Sequence, residues 1–332
     1  MDFFTHLIVG IAGGRLIFKN PNHQKAFILG CIAPDFDVFI GWIPSLISEL
    51  VILSHRGLFH TLFFMPIVIP VLIYGTRYLP NIKRIKHLNP ILIESKISLT
   101  LLTWLIGTVG PYIHITMDLL NPQGVLLLFP ISSERFSLSL ISFFDPVVTI
   151  MAGGFFFWYL YKKVIKKQVP SIKFVDRYTR VVTVLFIVIV IGYGFLQVVT
   201  INNYQPETST VGFFTFQRWI IEDQTDSYDV KLVNQFTQQI EKSYSYQKII
   251  WNQSQWSKTE INSAISDAQK VLEYQNWLFR LNPDTRLIYN VTTDLDQKNW
   301  IIKITDVFQD VQVKHSGLNP FNDSKFEISL PI

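Results

Sequence analysis

The sequence predicts a mainly α-helical protein, with a polytopic helical membrane domain over residues 1–204 and a small α+β soluble domain over residues 205–332. Three observations predict it. Four apolar runs, Leu62–Tyr78, Ile97–Ile113, Phe143–Tyr161 and Val181–Val199, approach the roughly 20 residues that a membrane span requires. Basic clusters alternate with those runs. The charge balance also changes sign near residue 204: residues 1–204 hold 17 Lys/Arg against 9 Asp/Glu (net +8), and residues 205–332 hold 12 against 16 (net −4). Across the 332 residues, 49% are hydrophobic and only 16% charged, where an average soluble chain carries about 25% charged residues. Disorder, low complexity and a disulfide scaffold are thereby excluded, and the single cysteine, Cys31, leaves no intramolecular disulfide. The cations lie in short clusters between apolar runs, so no nucleic-acid partner is expected.

The elements follow in order. Thr5–Phe18 is a short apolar segment without the basic flank and small-residue cleavage site of a signal peptide. Ala26–Ile47 is a second hydrophobic region, interrupted by Pro34, Asp35 and Asp37. Between the first two spans lie Arg77, Lys83, Arg84, Lys86 and Lys96. Between the last two lie Lys162, Lys163, Lys166, Lys167, Lys173, Arg177 and Arg180. Residues 38–61 contain only Arg56 among Lys and Arg, and residues 114–142 only Arg135. Basic loops stay cytoplasmic. That rule puts both loops inside, together with Arg15, Lys19 and Lys25. It puts Asp35–Thr61, His114–Ser142 and everything beyond about Val199 outside.

The polar remainder reads as a small folded module. Phe214–Ile221 with Tyr228–Val233, and Thr285–Thr293 with Asn299–Val307, read as strand pairs. Ser257 with Glu260 forms a capping box, and Ile261, Ala264, Ile265, Ala268, Val271 and Leu272 follow at helical spacing. This module carries no catalytic signature. Its expected role is folding or docking of a protein partner.

Ionisable residues in the apolar half, apart from the basic loops, fall in short strings: Thr5-His6, Pro34-Asp35-Phe36-Asp37, His55 through Thr61, His114-x3-Asp118, and Phe144-Asp145-Pro146. A charged side chain at mid-bilayer costs about 2.5–3.5 kcal/mol on insertion scales, and joint coordination of a cation is the simplest reason to gather several. His114 and Asp118, four apart, share a helical face; Gly110-Pro111 upstream is expected to bend that helix. His55 and His60, five apart, would point about 140° from each other on a straight helix, so Gly57 is expected to turn the chain. The charge rule brings all these strings to one membrane face. His6, Asp35, His55, His60, His114 and Asp118 are therefore expected to bind a divalent metal. A thiolate-free His/Asp set suits Zn²⁺ or Mn²⁺, and the number of ligands allows two ions.

Plainer readings stand beside the chemical ones. Asp145 before Pro146 reads equally as a helix N-cap. Asp37 reads either as a general base or as a group that orients a ligand. Arg56 could stabilise charge on a phosphate oxygen, or neutralise Asp35, or cap a helix. His23, His87 and His315, among polar neighbours, read as surface.

The strings Thr5-His6, Pro34-Asp35-Phe36-Asp37, His55-Arg56-Gly57-Leu58-Phe59-His60-Thr61 and His114-x3-Asp118, in that order, resemble the YdjM-like family. Gly124-Val125-Leu126-Leu127-Leu128-Phe129-Pro130 and Phe144-Asp145-Pro146 also look like its pattern; Thr61 stands where that pattern often has Ser. The resemblance covers roughly residues 1–160 and implies an inner-membrane, metal-dependent hydrolase. It also implies a distant similarity to the all-helical zinc-dependent phospholipase C and P1-type nuclease group. Asp37, Arg56 and Asp145 are the residues expected to handle protons and charge. Membrane lipids are the expected partners, with a lipid or phosphoester at the outer face as substrate. Two other classes stand open: a metal or proton transporter, whose path would need ionisable groups at several depths, and a non-catalytic scaffold stapled by metal with a partner-binding soluble domain.

Overall fold

The structure is a computed structural model that describes residues 2–40, 43, 53, 55–76, 78, 97–132, 134–142, 145–168, 170–212, 214–251, 257–279, 287–294, 299–307 and 325–331. His87, His315 and the basic residues Arg77, Lys83, Arg84, Lys86 and Lys96 lie outside the described residues, as does Phe144. The chain forms two units, Met1–Gly192 and Tyr193–Ile332.

Among the described residues, six α-helices build the first unit, the last of them running on past Gly192: α1 (Phe3–Ile17), α2 (Pro21–Ile32), α3 (Met65–Gly75), α4 (Leu101–Asp118), α5 (Pro146–Leu160) and α6 (Ile172–Tyr204). Local chemistry sets their starts. The Asp2 carboxylate accepts from the Thr5 N–H and caps α1. Asn20 caps α2, with Pro21 as its first residue. Thr100 and Thr103 form a reciprocal capping box on α4, and Asp145 caps α5 ahead of Pro146. Such caps satisfy N–H groups that have no partner within the helix.

Among the described residues, only α6 is long and apolar enough to cross a membrane unaided, with 33 residues and a mean hydropathy of 2.5 over its best window. The other three expected spans come out differently. The first is the 11-residue α3, only about 17 Å at 1.5 Å per residue. The second starts later than expected and continues as one helix through His114 and Asp118, with Pro111 inside it. The third is the 15-residue α5, followed by a π-helical turn at Tyr161–Ile165. Length alone therefore does not establish several crossings.

Packing orders the ends of these helices. Gly110 and Gly30 let α4 and α2 meet backbone to backbone: a methyl on Gly110 would lie 2.6 Å from the Cys31 nitrogen and the Phe27 carbonyl oxygen. Ile8 of α1 packs on Ala152, Phe155 and Tyr159 of α5 and on Val182 of α6. Arg15 at the end of α1 reaches Asp176 of α6 at 3.5 Å. Asp2 accepts from Thr149 near the start of α5. Helices α1 and α5 thus run side by side in the same sense. Arg15 and the Tyr161–Ile165 turn lie at one end, and His6 and Asp145 lie towards the other.

The second unit carries two four-stranded sheets. The first joins β1 (Thr208–Val211), β2 (Gln217–Asp223), β3 (Ser227–Asn234) and β4 (Gln239–Gln247), antiparallel throughout. The second orders β5 (Ile249–Trp251), β6 (Leu287–Asp294), β7 (Asn299–Asp306) and β8 (Lys325–Pro331), with only β5–β6 parallel. The two strand pairs read from sequence correspond to β2–β3 and β6–β7. Helix α7 (Lys258–Phe279) starts at the Ser257–Glu260 capping box. It buries Ile261, Ala264, Ile265 and Ala268 against Val291, Trp300, Ile302 and Ile304. The side chains of Val271 and Leu272 lie outside the described residues.

Candidate metal centre

Four separate stretches bring ionisable side chains to one buried place. Helix α1 presents His6 in its first turn. Where α2 ends, Pro34 starts a 3-10 turn, Pro34–Phe39, that carries Asp35 and Asp37. His55 precedes Arg56, whose φ of 63° reverses the chain and leads into the short 3-10 turn Leu58–His60. The last turn of α4 supplies His114 and Asp118 from one face.

All six residues expected as ligands fall into two adjoining groups, His6–His114–Asp118 and Asp35–His55–His60. Within each group, one donor atom per residue lies within 4.8 Å of the others. His60 Nε2 links the groups, at 3.2 Å from His114 Nε2 and 3.2 Å from Asp118 Oδ2. His114 Nε2 is 3.5 Å from both Asp35 Oδ1 and Asp118 Oδ2, and His6 Nε2 is 3.4 Å from Asp118 Oδ1. Ligand atoms around a tetrahedral Zn²⁺ with Zn–N near 2.0–2.1 Å stand about 3.3 Å apart. The observed separations are of that size.

The hydrogen-bond pattern says which ring atoms are available. His114 Nδ1 lies 2.7 Å from the Cys31 carbonyl oxygen, which only an N–H can approach so closely. In the neutral ring the lone pair is then on Nε2, facing two carboxylate oxygens. A lone pair and carboxylates repel unless a cation stands among them, either a proton or a metal ion. His55 Nδ1 in the same way lies 2.8 Å from Asp37 Oδ1, leaving its Nε2 for a ligand. This arrangement, one imidazole nitrogen held by a carbonyl or carboxylate and the other free, is what metal-binding histidines use.

Two buried atoms test the fit to a metal directly. Among the described residues, Asp35 Oδ2 has no hydrogen-bond partner, and neither does His6 Nδ1. Leaving such a group unsatisfied costs about 1–3 kcal/mol. An ion bound by Asp35 would remove that cost for its oxygen. The donor set, nitrogens and carboxylate oxygens without a thiolate, suits a divalent cation of intermediate hardness. His6 also stacks on His114, centroids 3.6 Å apart, which fixes the plane of both rings.

The three residues expected to do chemistry take other positions. Asp37 is fully occupied: Oδ1 accepts from His55, and Oδ2 accepts the Arg56 backbone N–H at 3.0 Å. His60 Nδ1 also lies 3.2 Å from Oδ2, off the line of a good hydrogen bond. Of the two readings of Asp37, these contacts match the one in which its carboxylate holds the His55 ring. Asp145 Oδ1 accepts from both Val147 and Val148 N–H at 3.0 Å, which is the capping role. Arg56 does not pair with Asp35; its Nη2 donates to Asp118 Oδ1 at 3.1 Å.

Some supports had no sequence signal. The Cys31 carbonyl that orients His114 is a main-chain atom. Arg135, read only as an isolated cation, donates to the Arg56 carbonyl at 3.3 Å and to the Gln123 carbonyl at 2.8 Å. Thr61 caps locally, accepting from the Phe64 N–H while donating to the Leu58 carbonyl. A Ser hydroxyl could do the same. His23 does not belong to the cluster; its ring packs edge-on against Phe18.

The fold and the site thus define a helical protein with one helix long and apolar enough to cross a membrane and a buried His/Asp cluster whose donors can hold a metal ion. The chain belongs to the YdjM inner membrane protein family, whose profile matches residues 1–203. It is also similar to the uncharacterized protein YfhP of Bacillus subtilis (strain 168), 26% identical over 163 residues, covering 45% of this chain and 43% of that relative. The match thus spans less than half of the relative's length. No solved structure matches the chain.

Proposed function

We propose that this protein is a polytopic, membrane-embedded, metal-dependent hydrolase. Its substrate would be a lipid or another phosphoester at the outer membrane face. The observation that carries the metal reading is the convergence of His114 Nε2, whose other nitrogen is held by Cys31, on Asp35 and Asp118. His6, Asp35, His55, His60, His114 and Asp118 would hold Zn²⁺ or Mn²⁺, as one ion or two. Once bound, the ion lowers the pKa of a coordinated water towards neutrality and polarises the scissile group. Asp37 holds His55 in register. Asp145, capping α5, is engaged away from the cluster. Arg56, beside Asp118, places a guanidinium where charge on a phosphate oxygen would develop.

Several crossings, rather than one, are supported by where apolar surface is exposed. Ile67 and Val71 of α3, Leu101 and Leu105 of α4, and Ile150 and Phe157 of α5 point outward, while the ionisable groups face inward. That is the arrangement a lipid environment favours. The basic end of α1, α5 and α6 would lie in the cytoplasm, leaving the cluster at the outer face together with residues 205–332. Reporter tags at 163–179 should then be cytoplasmic, and tags at 120–135 or after 205 external. The opposite placement of the C-terminal tags removes the outer-face assignment.

A second reading is favoured by burial. His6, His60, His114 and Asp118 are 0–1% exposed, and only His55, at about a third, is open to solvent. Such a site could staple four chain segments without turning over a substrate. Elemental analysis of the purified chain, followed by assays on phospholipid and phosphodiester panels, separates the two. Bound metal with turnover supports the hydrolase. Bound metal without turnover, with thermal stability lost on chelation, supports the staple. A metal-free protein indifferent to Zn²⁺ and Mn²⁺ refutes both.

A further inference from the structure

The opposite end of the first unit carries a surface that the metal centre does not use. Helix α5 passes into the π-helical turn Tyr161–Ile165, and Lys167, at φ 51°, ends it. Lys166, Lys167 and Lys173 stand exposed around this corner, with Lys162 half-buried beside them. The only acid between residues 146 and 192 is Asp176, and it is already engaged by Arg15 at 3.5 Å and Arg180 at 3.0 Å. The corner therefore has a surplus of positive charge.

Exposed apolar residues lie among these charges. Ile165 is 67% exposed and Ile172 73% exposed, directly among the lysines. Behind them, Trp158 packs against Phe174 with centroids 5.2 Å apart, and Lys166 lies 5.9 Å from the Tyr161 ring centroid. Water does not favour isolated exposed isoleucines, and a soluble acidic partner would not favour them either. The boundary between headgroups and acyl chains accepts both kinds of side chain, with the aliphatic tips inward and the ammonium groups at the phosphates.

We propose that the α5–α6 corner is a binding surface for anionic phospholipid headgroups in the leaflet opposite the metal centre. Lys162, Lys166, Lys167 and Lys173 contact the phosphates, and Ile165 and Ile172 enter the acyl boundary. The distance fits. From Asp145 to Lys162 is 17 residues of nearly continuous helix, about 25 Å at 1.5 Å per residue, close to a hydrocarbon thickness of about 30 Å. The surface is independent of whether the metal centre turns over a substrate.

The test uses the full chain reconstituted in phosphatidylcholine bilayers doped with spin-labelled phosphatidylglycerol or spin-labelled phosphatidylcholine. Electron paramagnetic resonance reads the motionally restricted fraction of each lipid. The wild type should select the anionic probe, and the selectivity should fall as NaCl is raised. Each basic residue at such a surface contributes on the order of fivefold. K162Q/K166Q/K167Q/K173Q should therefore lower the selectivity by at least about fivefold, the share of one residue, and by more as the four contributions combine. The four Lys→Arg replacements should retain it, as should Lys231→Gln with Lys303→Gln in the second unit. Millimolar inorganic phosphate should not compete. Equal restriction of the two probes by the wild type, or no effect of salt, overturns the proposal even if the Gln variant does not reconstitute. Unchanged selectivity in the Gln variant overturns it too, and competition by inorganic phosphate would make the corner a free-anion site instead.

Discussion

Replacing Asp37 by Asn tests the orienting role most directly, because it removes a charge and one acceptor while keeping the shape. Asp37 receives donors on both oxygens: His55 at 2.8 Å on Oδ1, and the Arg56 N–H at 3.0 Å on Oδ2, with His60 at 3.2 Å from the same atom. An amide has one acceptor oxygen. Placing its nitrogen at the Oδ2 position would set it against the Arg56 backbone N–H, which cannot turn away, whereas the His55 ring at Oδ1 is a third exposed and can. The amide should therefore turn its oxygen to the Arg56 N–H and release His55. Loss of such an outer support costs about 10–100-fold in metal affinity, or about 1.4–2.7 kcal/mol. A chelator-competition titration with Zn²⁺ on the purified chain measures it. His55→Ala should cost much less in the Asn variant than in the wild type, since the ring is already loose there. Turnover, if the wild type has it, should return at saturating metal. Affinity within twofold of wild type, or full additivity with His55→Ala, refutes the orienting role. A loss of two decades in turnover that saturating metal does not restore would return Asp37 to the role of base.

Three further outcomes are expected. Gly110→Ala places a methyl 2.6 Å from Cys31 N, where 3.4 Å is the near limit of ordinary contact; α2 must retreat, at about 1–3 kcal/mol. Thermal melts should show that loss together with reduced metal content, and Gly154→Ala, with nothing within 4 Å, should show neither. His60→Ala, His55→Ala and Asp118→Asn should each lower metal per chain by elemental analysis without adding, since they empty one shared site, while His23→Ala leaves it unchanged. At the start of α7, the Ser257 backbone N–H and hydroxyl hold the Glu260 carboxyl below its ordinary value of 4.5. Because the folded value is the lower one, the cap is fully present above about pH 4.5 and weakens as pH falls through the folded value. Amide exchange at residues 258–262 should rise over that acid range in the wild type and be flatter in Glu260→Gln.

Much of this molecule is legible as local pattern. The i, i+4 spacing of His114 and Asp118 put them on one face because a helix turn does so wherever it is packed. Ser257 and Glu260 announced the start of α7 for the same reason, since capping involves atoms only three residues apart. The alternation of charge and the shared end for His6, Asp35 and His114 followed from counting lysines and arginines. Two histidines five residues apart implied a turn near Gly57, and the positive φ falls one residue earlier, at Arg56.

Roles within the cluster were decided by contacts between distant residues. Asp35 and Asp37 are two residues apart in one 3-10 turn and look alike in sequence, yet Asp35 Oδ2 is left without a partner while Asp37 is consumed by His55 and Arg56. Arg56 chose Asp118, 62 residues away, rather than nearby Asp35. His114 takes its tautomer from a main-chain carbonyl at Cys31, 83 residues away, brought into range by the glycine contact between α2 and α4. Side-chain identity limits which chemistry a residue can perform and leaves a mark in the sequence. Which two atoms meet depends on backbone approach and packing across the whole unit, and a carbonyl oxygen leaves no such mark.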